Sequence, residues 1–378
     1  MPARSRAGRR IAFFLHGLEM GGAQKMTLRL AGGLARAGYS VDVVVAQADG
    51  PLLNEVPPEA GLIVLPLAPR WRDAGRAARV RAAIPALARY VRERRPAALI
   101  AGANHVSIAT VLAGVVAREP DTRLILRATN PVWRQGGSRL KRAVARLLFP
   151  CADLVVAVSE PVAADHAGAL GGRVPVEVIA EPAIATDFGE RLAAPAFHPW
   201  LEDDAELVVS VGRLVRQKDH RALIEAFVAV RALRPTARLL IVGDGPLKAE
   251  LTELRHRLGL DKVVAFAGAV DNPLPALRRA RCFAMPSAWE GLGIAAIEAI
   301  AAGCPVVAAD TPAVRWALRD GALGRLVPAS DRTAFAAAIV DQLRQSARRR
   351  PAAVRALDFT LEAAVRRYGA ALDRLCAS

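Results

Sequence analysis

The chain has 378 residues, more than one hydrophobic core usually organises, so two domains are expected. Hydrophobic residues make up 53% of it, enough for packed cores, and proline, glycine and charge are too evenly mixed for a long disordered region. The four cysteines, Cys151, Cys282, Cys304 and Cys376, form no CxxC and accompany no histidine pair, which argues against a zinc site or disulfide framework and suits a reduced, cytoplasmic compartment.

The N-terminal "MPARSRAGRR" is basic, and the apolar run behind it, "IAFFL", is too short for a signal-peptide core and reads as a first strand. The runs "VDVVVA", "AALIAG", "RLILRA", "DLVVAVS" and "VEVIA" follow, alternating with segments of helical spacing up to about residue 180. This alternation implies a parallel sheet with helices on both faces. The segment Ala97 to Ala117 is long enough to cross a bilayer, but Asn104 and His105 interrupt it and its composition changes there. It reads as strand, loop and helix.

Ala180 to Asp204 carries three prolines and no regular period, as a linker would. A second series then begins: "ELVVSVG", "RLLIVGDG", "VVAFAG", "RCFAMPS", "PVVAAD" and "GRLVPA". The closing "LDFTLEAAVRRYGAALDRL" has the spacing of an amphipathic helix. No fixed-period repeat runs through either series, against a solenoid or propeller. The expected class is α/β: two doubly wound, Rossmann-like domains facing across a cleft. The expected division is 1–185, a linker at 186–205, 206–357, and a helix at 358–378 that packs back on the first domain.

In such sheets the ligand lies beyond the carboxyl ends of the strands, so the residues just after each strand are the informative ones. After "ELVVSVG" come Arg213, Gln217 and Lys218; after "RLLIVG" come Asp244 and Gly245. After the first strand come His16 and then Gly21 and Gly22; after "RCFAMPS" comes "AWEGLGIAAIE", with Glu290, Gly291, Leu292, Gly293 and Glu298. Glycines at such turns let backbone approach a phosphate, the following helix offers free N–H groups, and two cations neutralise charge. Singly, each feature is as well explained by an ordinary turn or a solvated cation. Together on one rim they favour phosphate binding.

A helix starting near Gly293 puts Glu290 at its mouth and Glu298 more than a turn inside, a separation of about 12 Å along a helix. That is the scale of a nucleotide sugar, and a carboxylate accepts from two neighbouring hydroxyls, one pair at each end. The competing reading pairs Glu298 with one of the many arginines.

"SVGRLVRQKDHRALIEAF", "LLIVGDGP", "RCFAMPSAWEGLGIAAIEAIAAGCPVVAAD" and "HGLEMGGAQKMTLRLA" together resemble the retaining family 4 glycosyltransferases of the GT-B fold. The likeness covers both domains and includes the E-x7-E spacing. It implies that Glu298 binds the ribose, that Glu290 lies by the donor sugar, and that Arg213 and Lys218 hold the diphosphate as it leaves. It also implies that Gly22 admits the diphosphate close to the backbone and that His105, after "AALIAG", lies against the sugar. Where relatives carry asparagine before a proline, this chain has Glu181 in "IAEPAI". The substrates implied are a nucleoside diphosphate sugar donor and a glycan or lipid-linked acceptor. No organic cofactor is implied and, with no Asp-x-Asp in the chain, no metal.

Two other enzyme classes fit parts of this pattern. "GLGIAA" matches G-x-G-x-x-A with Asp310 ending the next strand, as in an NAD-dependent oxidoreductase. That reading leaves Glu298, Arg213 and Lys218 unused. A sugar-nucleotide epimerase or hydrolase of the same fold would use the diphosphate site without an acceptor.

The net charge of +16 is concentrated between Arg70 and Arg146, where 17 Lys or Arg face 4 Asp or Glu. "SRLKRAVARLLF" sets Leu140, Val144, Leu147 and Leu148 against Arg139, Lys141, Arg142 and Arg146, a pattern that suits an anionic membrane surface. Solvated arginines on a helix face would produce the same pattern. The expectation is a peripheral protein on the inner face of the cytoplasmic membrane. Nucleic acid is not an expected partner, since aromatics are only 5% of the chain and no nucleic-acid-binding motif occurs.

Overall fold

The computed structural model describes residues 8–71, 74–133, 138–345 and 358–376. The basic residues 1–7, Arg72 and Asp73 of the basic segment, and the expected boundary at 357 lie outside the described residues. The chain forms two compact units, Met1–Pro182 with Thr360–Ser378, and Ala183–Phe359.

In the first unit seven parallel strands are ordered β3-β2-β1-β4-β5-β6-β7. They are β1 (Arg10–Leu15), β2 (Ser40–Val45), β3 (Ala60–Val64), β4 (Ala98–Ala101), β5 (Arg123–Ala128), β6 (Leu154–Ala157) and β7 (Val176–Val178). The helices between them are α1 (Gly22–Arg36), α2 (Arg76–Ala82), α3 (Ile84–Arg94), α4 (Ser107–Ala117), α5 (Arg139–Leu148) and α6 (Glu160–Leu170). Central strands such as β1 are apolar at nearly every position because helices cover both faces of the sheet. Strand β3 is absent from the runs read in the sequence. It sits at the sheet edge, is only partly buried, leaves Val64 exposed and contains Gly61, so it lacks the continuous apolar run of its neighbours.

The second unit has six parallel strands ordered β10-β9-β8-β11-β12-β13. They are β8 (Glu206–Val211), β9 (Ala237–Val242), β10 (Val264–Gly268), β11 (Cys282–Met285), β12 (Val306–Ala309) and β13 (Arg325–Val327), each inside one of the six runs read from the sequence except β9, which starts one residue before its run. Its helices are α7 (Phe188–Leu192), α8 (His220–Leu233), α9 (Lys248–Arg257), α10 (Leu274–Arg279), α11 (Ile294–Ala301), α12 (Pro312–Ala317) and α13 (Arg332–Arg344). Alternate residues divide between two cores: Val208, Ile241 and Ala284 pack with α8 and α13, while Val209, Leu240 and Phe283 pack with α10 and α11. The proline-rich stretch before β8 is packed, with Leu201 in the second of these cores and Phe188, Phe197 and Trp200 against it.

The last helix, α14 (Leu361–Leu375), belongs to the first unit. Thr360 caps it by accepting from Ala363 N at 3.2 Å. Its apolar face, with Ala364, Tyr368, Ala371 and Leu372, completes the core that contains Phe13 and Leu30. Ala97–Ala117 resolves into β4, a 3-10 turn at Asn104–Val106 and α4, and no described helix is long and apolar enough to cross a membrane.

Candidate active site

The order of the second sheet reverses between β8 and β11, and a doubly wound sheet opens a crevice at such a point. After β8 the chain makes one 3-10 turn, Arg216–Lys218, before α8. Asp219 ends that turn in the left-handed region (φ 43°) and caps α8, its side chain accepting from Ala222 N. The turn is tied to the segment after β11 at three points. Ala288 N donates to Gln217 O at 2.9 Å and Gln217 Nε2 donates to Trp289 O at 3.0 Å. Lys218 Nζ donates to Glu290 Oε1 at 2.5 Å.

The Lys218 stem lies along the backbone of Gly212, where a Cβ would stand 3.3 Å from Lys218 Cδ. Lys218 is thus only 22% exposed and Glu290 8%, so this is a fixed, largely desolvated ion pair rather than two solvated side chains. Arg213 lies beside it in sequence but differs in state. Its side chain is exposed, with no hydrogen bond or ion pair among the described residues.

Two glycines make this rim possible. Gly243, after β9, has φ +150°, and the carbonyl oxygen of Gly212 occupies the space a Cβ would need. Gly293, with φ +84°, stands in the left-handed region directly before α11. The turn of Gly291, Leu292 and Gly293 therefore delivers the chain straight into α11, whose first N–H groups have no partner within the helix. Glu298 sits in the middle of α11, half-buried. Asp244 is exposed and held locally, accepting from Gly245 N at 2.7 Å and Lys248 Nζ at 3.1 Å; these bonds keep its carboxyl below the usual range. Asp310, which a dinucleotide site would need for a ribose, accepts from Nε and Nη2 of the Arg315 guanidinium.

The first sheet reverses between β1 and β4. His16 follows β1 and His105 lies just beyond β4, so the two rings straddle the reversal. His105 Nε2 is 2.6 Å from His16 Nδ1, with the rings edge to face at 4.5 Å. His16 Nε2 is 3.2 Å from Glu19 Oε2, and Arg79 of α2 pairs with Glu19 at 3.5 Å. Asn104 anchors the His105 loop to the end of β5, accepting from Thr129 N at 2.6 Å and Thr129 Oγ1 at 2.9 Å. Gly21 is extended (φ −165°) and precedes α1; Gly22 opens that helix, with nothing within 4 Å of where its Cβ would be. Gly22 thus leaves backbone uncovered at the start of α1, while the Gln24 side chain covers Gly21.

Beneath this rim Arg127, on β5, is buried with Glu181, both carboxylate oxygens accepting from Nη2 at 2.7 Å. Arg127 Nη1 also donates to Gly102 O at 3.1 Å and to Thr27 Oγ1. Glu181, the departure from the family pattern, is therefore an internal counterion. The sequence carried a signal for this: an arginine inside the apolar run "RLILRA" must find a buried acceptor. The roles of Glu19 and Arg79 left no such trace. Among the described residues no group of three or more His, Cys, Asp or Glu could hold a metal ion.

On the far side of the β5 exit, Arg142 Nη1 donates to Trp133 O at 3.0 Å and Arg146 stacks on the Trp133 ring at 5.6 Å, pinning α5. Leu140 and Leu147 of α5 remain 71% and 75% exposed, flanked by Arg139, Lys141 and Arg146.

Comparison with known proteins matches residues 20–182 to the model of Glycosyltransferase Family 4 and residues 197–356 to that of Glycosyl transferases group 1. LpsE, a lipopolysaccharide core biosynthesis glycosyltransferase of Rhizobium meliloti, is 38% identical over 136 residues, 36% of this chain and 39% of that protein. A GDP-mannose-dependent alpha-(1-6)-phosphatidylinositol monomannoside mannosyltransferase of Mycolicibacterium smegmatis is 32% identical over 249 residues, 61% of this chain and 64% of that one. The chain spans only 26% to 39% of the length of the first curated relatives it matches. Among solved structures, HepE of Anabaena in complex with UDP and glucose superposes with a TM-score of 0.76 at 21% identity, covering 96% of this chain and 98% of that one. That likeness is one of fold.

Proposed function

We propose, from the premise that this chain belongs to the family of glycosyl transferases group 1 with a GT-B fold, that it moves a sugar from a nucleoside diphosphate to a glycan or lipid-linked acceptor. The observation that carries the reading is the Lys218–Glu290 pair at the second sheet's reversal, next to an Arg213 that is exposed and has no side-chain partner among the described residues. An ammonium has three N–H donors, and Glu290 takes one. Two remain for diphosphate oxygens, and Arg213 adds a bidentate fork. Glu290, fixed by Lys218, keeps its second oxygen for a hydroxyl of the sugar. Glu298 accepts from the ribose hydroxyls, and the turn at Gly291, Leu292 and Gly293 with the start of α11 meets the phosphate. Gly245 and Asp244 line the same rim, while Gly22 offers open backbone in the first domain beside Gly21. The UDP-bound neighbour supports a nucleotide donor, and the lipopolysaccharide and phosphatidylinositol-mannoside relatives support an acceptor in envelope polysaccharide or glycolipid assembly.

Transfer proceeds with retention of configuration, the departing phosphate oxygen taking the proton of the acceptor hydroxyl on the same face. No protein base is assigned; fixed cations stabilise the charge that builds on the diphosphate. His105 contacts the sugar. The exposed leucines and surrounding cations of α5 lie on an anionic bilayer, which places the protein peripherally at the inner face of the cytoplasmic membrane. Leu140→Glu with Leu147→Glu then abolishes sedimentation with phosphatidylglycerol vesicles.

The deciding experiment is calorimetry with UDP, GDP, UDP-glucose and GDP-mannose, followed by NMR of the product formed from the nucleotide sugar that binds. A glycoside with the donor's anomeric configuration is expected. Absence of nucleotide binding, an inverted product, or release of free sugar as the sole product would each overturn the reading.

A further inference from the structure

The phosphate chemistry above uses neither His16 nor Glu19, yet both stand where the first sheet opens. Their hydrogen-bond polarity can be worked out from the donors available. An ionised carboxylate only accepts, so the nitrogen facing Glu19, His16 Nε2, carries the proton. In a neutral ring the other nitrogen, His16 Nδ1, is then a bare acceptor. The atom 2.6 Å from it, His105 Nε2, must donate. Neutral His105 is left with a bare Nδ1, which has no partner among the described residues, on a ring that reaches solvent.

Both rings are held neutral. Burial lowers the affinity of His16 for a second proton, and Arg76 and Arg79 of α2 lower it further against the pull of Glu19. Enclosure of its bonded edge, then His16 and Arg76, depress His105 to about 4. Among the described residues, Glu19, Arg76 and Arg79 are the charged groups that act on the pair.

We propose that Glu19 and His16 are positioning residues that lock His105 in its Nε2–H form and present Nδ1 as a hydrogen-bond acceptor for a sugar hydroxyl. The opposite polarity along the chain would set a bare His16 Nε2 against the Glu19 carboxylate, two acceptors facing each other. Glu19 is therefore the residue that selects the direction. The identity of the hydroxyl as a sugar's rests on the function proposed above; the direction of the relay does not.

The test uses the full chain with ¹⁵N-labelled histidine. Long-range ¹H–¹⁵N spectra should show His105 wholly as Nε2–H, and Glu19→Ala should turn it into a mixture of tautomers. Glu19→Gln, whose amide oxygen can still accept, should restore the single form. In binding measurements Glu19→Ala should weaken UDP-glucose or GDP-mannose about five-fold, the size of one lost neutral hydrogen bond, while leaving UDP or GDP unchanged. Glu19 is about half-exposed, and an unchanged melting temperature would show that the variant is folded. A wild-type His105 protonated on Nδ1, or a tautomer indifferent to Glu19→Ala, overturns the relay. Equal weakening of nucleotide and nucleotide sugar overturns its link to the sugar. If none of these nucleotides binds the wild type, the proposed donor falls, and the spectra still decide the relay.

Discussion

The two domains share one architecture and put opposite chemistry at the place where the strand order reverses. In the first, two neutral rings meet between β1 and β4, and the charged pair, Arg127 with Glu181, is sealed beneath them. In the second, the charged pair itself stands at the mouth between β8 and β11, with Lys218 at 22% exposure against 2% for Arg127. Depth changes what an ion pair does. Sealed from water, a pair can only hold structure, because no ligand reaches it. Partly exposed through its lysine, it keeps spare donors and acceptors for an incoming anion or hydroxyl.

That contrast is tested most strongly by removing one partner of each pair. Arg127→Ala strands a buried carboxylate and should cost about 3 to 5 kcal/mol of stability in urea titrations. Lys218→Ala should cost far less stability but raise the reaction barrier by about 2 to 4 kcal/mol, roughly 30- to 1,000-fold in turnover, with donor affinity little changed. Near-normal turnover in folded Lys218→Ala, or a stable Arg127→Ala, would erase the distinction.

Acid should sharpen the comparison through histidines. Buried His220, beside Lys218, is held down to about 4 by burial and then by the Lys218 charge, whereas the unfolded ring titrates near 6.5. Between those values the unfolded chain binds the proton and the folded one does not, so stability is full above about pH 6.5 and falls as pH drops toward 4. The loss from His220 alone should approach about 3 kcal/mol, and His220→Gln should flatten that part of a pH-dependent melting curve.

Within the second domain, the two glutamates separate by ligand. Glu298→Ala should weaken UDP or GDP by about 1.5 to 3 kcal/mol, a charged hydrogen bond's worth, while Glu290→Ala spares the free nucleotide and harms transfer. Equal loss of nucleotide affinity in both, seen by calorimetry, would remove this assignment. The smallest effect expected is that of EDTA, which should leave transfer unchanged if Arg213 and Lys218 neutralise the diphosphate as proposed; loss in chelator restored by magnesium or manganese would contradict it.

The local sequence determined the alternation of strands and helices, because a strand buried on both faces must be a short apolar run wherever it occurs. It failed at β3, whose edge position relaxes that demand. It also determined the turn before α11, since Gly293 needs a left-handed backbone that other residues resist, and hence the placement of Glu290 outside and Glu298 inside that helix. It could not determine who pairs with whom. Lys218 and Glu290 are 72 residues apart, His16 and His105 are 89, and Arg127 and Glu181 are 54. The first two pairs exist because strand order brings the ends of β8 and β11, and of β1 and β4, side by side; the third joins β5 to the segment after β7, two strands away in the same sheet. The same order decides whether a pair is sealed or open, because burial belongs to the packed sheet and not to any segment of it.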